Sequence, residues 1–85
     1  MKNYLPIIRA LIDALLLLEF AGPDEIHPDT AVRGMENIAS ILLTLEKSDQ
    51  LILRDHLEQI AEDAEDQAYN TFVRSLSDML GLASE

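Results

Sequence analysis

The chain has 85 residues, with 6 basic and 16 acidic side chains, 2 histidines, no cysteine and a net charge of −10. This length suits a single domain over residues 1–85, and the absence of thiols excludes a disulfide framework, a thiolate nucleophile and a sulfur-ligated metal site. The carboxylate surplus argues against nucleic acid and against anionic membrane surfaces, both of which require a Lys/Arg footprint; a charged partner is expected to be basic.

The apolar stretch behind Lys2 is interrupted by Arg9 and Asp13, leaving Ala14 to Leu18 as its longest clean run. A secretory core needs about 7–15 apolar residues and a membrane span about 20. Neither is present, and a cytoplasmic location is the expectation. Punctuation along the rest of the chain separates four helices.

The first is expected from about Tyr4 to Ala21, capped by Asn3, with Pro6 in its first turn and Gly22-Pro23 as its stop. At 100° per residue, Tyr4, Ile7, Ile8, Leu11, Ala14, Leu15 and Leu18 share one face. The opposite side holds the Arg9/Asp13 pair together with Leu16, Leu17 and Phe20. This helix is apolar over more of its circumference than a one-sided surface helix needs. Either it is the central element, with neighbours on several sides, or Leu16, Leu17 and Phe20, left over with Leu43 and Ile52 once the core is assigned, form a self-association surface.

The second helix is expected over about 29–45, with Asp29 as N-cap and a core stripe of Ala31, Met35, Ile38, Ala39, Leu42 and Leu45. Gly34 weakens it by about 1 kcal/mol relative to alanine; a close approach to another helix explains its presence.

The third, over about 48–64, takes Ser48 as its cap and turns Leu53, Leu57, Ile60, Ala61 and Ala64 inward. The fourth, over about 67–80, buries Tyr69, Phe72, Val73, Leu76 and Met79 and stops at Gly81. Short connections make neighbours antiparallel, so the expected fold is all-α, a compact four-helix bundle. If the last two helices are continuous, three helices remain and the need to dimerise grows. Apolar burial of ~130 kcal/mol against an ordering cost of ~130 kcal/mol already makes a self-association surface helpful.

Acidity is concentrated in one place. Residues 48–66 hold seven acidic side chains and a single basic one. Asp55, Glu58, Glu62 and Glu65 fall within about 80° of one another on the wheel, with no basic residue among them. Like charges at this spacing cost a few tenths of a kcal/mol each, and surfaces built only for solubility mix signs. The row reads as a docking strip for a Lys/Arg-rich partner, or as a solvated face.

Chemistry has few candidates. His27 sits in a loop with Asp24, Glu25 and Asp29, whose spacing matches no calcium loop. The Glu-x-x-His pair of di-iron bundles is absent, so no metal or other cofactor is expected. His56 shares a helix side with Ile52, Gln59 and Asp63, without a serine or threonine to activate. Carboxylates on exposed helix faces lack the desolvated setting that separates pKa values, and a small bundle leaves little room for a substrate pocket.

An enzyme is therefore not expected. The sequence points to a small acidic helical module that occupies a basic surface on a partner protein. One concrete form is an immunity- or antitoxin-type inhibitor covering the cleft of a basic enzyme. The alternative is a homodimeric structural or adaptor protein with no charged partner.

Overall fold

The computed structural model describes residues 3–85; Lys2, the charge ahead of the apolar stretch, lies outside them. Four helices follow in order: α1 (Leu5–Phe20), α2 (Pro28–Leu42), α3 (Lys47–Asp63) and α4 (Gln67–Met79). There is no strand among the described residues. The fold is an all-helical bundle, in which α3 and α4 form the most extensive pairing and α1 lies against both α2 and α3.

Helices α3 and α4 are separate because the chain turns out of helical geometry between them. Ala64 is extended, at ψ 129°. Asp66 then caps α4, its carboxylate accepting the Tyr69 N–H at 2.8 Å. The side-chain amide of Asn70 meanwhile donates to the carbonyl of Ala61, which also accepts the Ala64 N–H, and so ties α4 to the end of α3.

Several ends differ in detail from the sequence expectation. Helix α2 begins at Pro28, whose fixed φ suits the first helical position. His27 is its N-cap, Nδ1 accepting the Asp29 N–H at 3.1 Å, and Asp29 instead places its charge in the first turn. Helix α3 starts at Lys47, so Ser48 lies inside it and Glu46 holds the cap position. The Asn3 side chain does accept the Leu5 N–H, at 3.1 Å, from one residue before the N-cap.

Gly81 has the one positive φ among the described residues, 75°. It closes α4 in a Schellman arrangement, with the Leu82 N–H bonded to the Ser77 carbonyl at 3.0 Å. Gly22 plays no such part. Helix α1 ends at Phe20 with Ala21 extended, and Glu25 folds back to accept the Gly22 N–H.

The core joins Ile8, Ile12 and Leu15 of α1, Leu53, Leu57 and Ala61 of α3, and Phe72, Val73 and Leu76 of α4, with Leu80 and Leu82 beyond it. The buried face of α1 is thus rotated from the expected one. Ile12 is fully buried, whereas Tyr4 and Ile7 are more than half exposed and Ala14 faces outward. A helix apolar on nearly every side has no phase of its own, and the α3–α4 pair sets it. Met79, expected inside, is exposed; Leu80 and Leu82 take that space.

Helix α2 contributes no fully buried residue. Its expected stripe is only half-buried, and Leu45 lies beyond the helix and is exposed. Gly34 allows its approach to α1: a β-carbon there would meet Leu18 Cδ1 at 3.2 Å.

Candidate functional site: the acidic row and the apolar groove

Asp55, Glu58 and Glu62 project from α3 into solvent, and Glu65 is exposed in the linker beyond its end. The helical part of the row is therefore three carboxylates over about 10 Å of axis, extended by one from irregular chain. None of the four takes part in an ion pair among the described residues.

The one basic side chain of residues 48–66 points elsewhere. Arg54 runs under the C-terminal tail, where Nε donates to the Ala83 carbonyl at 2.9 Å and Nη2 to the Leu82 carbonyl at 2.8 Å. Its remaining partner is Asp78, at 3.3 Å. The Arg54 side chain is only 17% exposed. It is held by main-chain acceptors and forms no ion pair with the acidic row.

Leu16, Leu17 and Phe20 do not form one uniform patch. Leu16 packs, partly buried, against the core. Leu17 is exposed, and Phe20 is 67% exposed even though its ring meets Phe72 edge-on at 5.4 Å. That contact anchors the end of α1 to α4 and leaves most of the Phe20 ring in water.

The two histidines are far from equivalent. His27 is exposed, with Nδ1 engaged in capping α2 and 4.0 Å from Asp29 Oδ2. Asp63, the expected neighbour of His56, instead accepts from the Gln59 side chain at 3.2 Å. His56 is half-buried at the margin of an open groove of roughly 490 Å³ between the start of α1, the end of α2 and the start of α3. Apart from Tyr4, Asp49 and His56, the lining of that groove is aliphatic. Sequence reasoning missed it, because it forms where three helix ends fail to close on one another.

Among the described residues, no group of three or more histidine or carboxylate side chains is placed to hold a metal ion. No described helix is long and apolar enough to cross a membrane. Comparison with protein-family models, with curated proteins and with solved structures finds no match.

Proposed function

We propose that this chain is a small protein-binding module that docks its acidic row on a basic surface of a partner protein. Asp55, Glu58, Glu62 and Glu65 are the residues of contact. The observation that carries this reading is the pairing of four exposed, unpaired carboxylates with an Arg54 committed to the chain's own tail. A solubilising face gains nothing from keeping its nearest cation away, whereas a docking face keeps its full charge for the partner. An inhibitor of the immunity or antitoxin type, covering the cationic cleft of an enzyme in the cytoplasm, is the concrete form this takes. The chain itself performs no reaction and needs no cofactor.

The test is the Glu58→Lys, Glu62→Lys double variant, used beside the unaltered chain as bait in a lysate of the source cells. A basic protein retained by the unaltered chain and lost to the variant supports the reading. Equal recovery by both baits overturns it and favours the adaptor alternative, in which the acidity serves solubility alone.

A further inference from the structure

We infer that α2 is a hinged lid on the bundle: it lifts from α1 and unwinds as a unit while α1, α3 and α4 stay folded. The inference is independent of the acidic row. Its first support is the make-up of the core. The buried cluster is drawn from α1, α3, α4 and the turn after α4, and no residue of Pro28–Leu42 belongs to it. Met35, Ile38, Ala39 and Leu42 of α2 pack half-buried on the outside of that cluster. Lifting them away leaves the contacts within the cluster intact, and a segment that buries little apolar surface opens at a lower free energy than the core.

The second support is the lack of ties. Among the described residues, no hydrogen bond or ion pair joins α2 to another helix. Helices α3 and α4, by contrast, are linked through Asn70 to the Ala61 carbonyl and through Arg54 to Asp78. Helix α1 is fixed by three buried residues and by the edge-on contact of Phe20 with Phe72.

The ends of α2 supply the hinge. Gln50 holds the turn after it to α3, Nε2 donating to the Leu45 carbonyl at 2.9 Å, so the pivot lies there. Once lifted, α2 is 15 residues long with a glycine inside it, too short to persist as an isolated helix in water. Its opening removes the groove wall that Leu42 supplies and uncovers Leu18, against which Gly34 sits. The lid thereby controls access to the apolar side of α1.

Hydrogen exchange followed by NMR on the full chain tests this. The amides from Met35 to Leu42 should share one opening equilibrium and be at least about a hundredfold less protected than those of Ile12, Leu57 and Leu76. Low urea should speed exchange of the core amides steeply and of α2 weakly, because opening α2 exposes less surface than unfolding the chain. Val73→Ala makes a cavity in α4, which has no extensive contact with α2. It should lower protection of the core amides at least tenfold and change that of α2 by less than about twofold. Equal protection and urea dependence in α2 and the core, or a parallel fall of both in Val73→Ala, overturns the inference, since α2 would then open only when the whole chain unfolds. If Val73→Ala does not fold, the two measurements on the unaltered chain decide.

Discussion

Arg54 in α3 donates through Nη2 to the carbonyl of Leu82, a contact of 2.8 Å between residues 28 apart in the chain. Gln50, one turn earlier, works on the same tail: Oε1 accepts the Ala83 N–H at 3.0 Å while Nε2 donates to the Leu45 carbonyl at 2.9 Å. These two side chains tie the segment after α4 to α3 and to the turn before it. Buried Leu82 is held in the core by the same clasp.

Arg54→Met keeps much of the aliphatic stem and removes the donors, leaving the Leu82 and Ala83 carbonyls without their Arg54 bonds. The expected cost is about 1–3 kcal/mol in urea denaturation. Asp78→Asn should cost less than about 0.5 kcal/mol, because Asp78 is exposed and such pairs contribute little. Comparable losses from the two changes would mean that the ion pair, not the tail carbonyls, is what Arg54 serves.

Ile12→Ala and Leu15→Ala open cavities at fully buried positions of α1 and should each cost about 2–5 kcal/mol. Leu17→Ser, on the exposed side, should change monomer stability by no more than about 0.5 kcal/mol. Chemical denaturation of the three variants checks the phase assigned to this helix.

Gly34 faces a leucine terminus, not backbone. Gly34→Ala should gain helix propensity and lose a similar amount in displacing Leu18, leaving stability within about 0.5 kcal/mol of the unaltered chain. Gly34→Leu forces α2 off α1 and should cost about 1–3 kcal/mol by overpacking. Thermal unfolding of the two variants separates the effects.

Asp66→Ala removes the carboxylate that accepts the Tyr69 N–H and should cost about 1 kcal/mol. Asp66→Asn retains an acceptor and should recover most of that loss. Urea denaturation of the pair measures the cap directly.

Helix boundaries were readable because the chain marks them chemically. Gly22-Pro23 stops α1, Pro28 fits only the first turn of α2 and Gly81 ends α4, and the observed ends fall within three residues of the expected ones; the α3–α4 break stays open in the sequence because Ala64, Glu65 and Gln67 favour helix. The phase of α1 was not readable, since leucine and isoleucine occupy nearly all its sides and only the packed neighbours distinguish them. Leu82 was not legible for a different reason: it joins the core through the left-handed turn at Gly81, whereas Leu80 simply continues the period of Val73 and Leu76. The exposure of the acidic row was legible because four carboxylates share one side of α3 and its continuation, although Leu51 stands at the same angle one turn earlier. Withdrawal of Arg54 was not, because its acceptors are main-chain carbonyls that no side-chain pattern records.

The most direct measurement is the salt dependence of the complex between this chain and the basic protein it retains. Docking through Asp55, Glu58, Glu62 and Glu65 requires affinity to fall at least tenfold as ionic strength rises from about 0.05 to 0.3 M, chiefly through a slower association rate. An affinity flat across that range, or one unchanged by reversing Glu58 and Glu62, would contradict it.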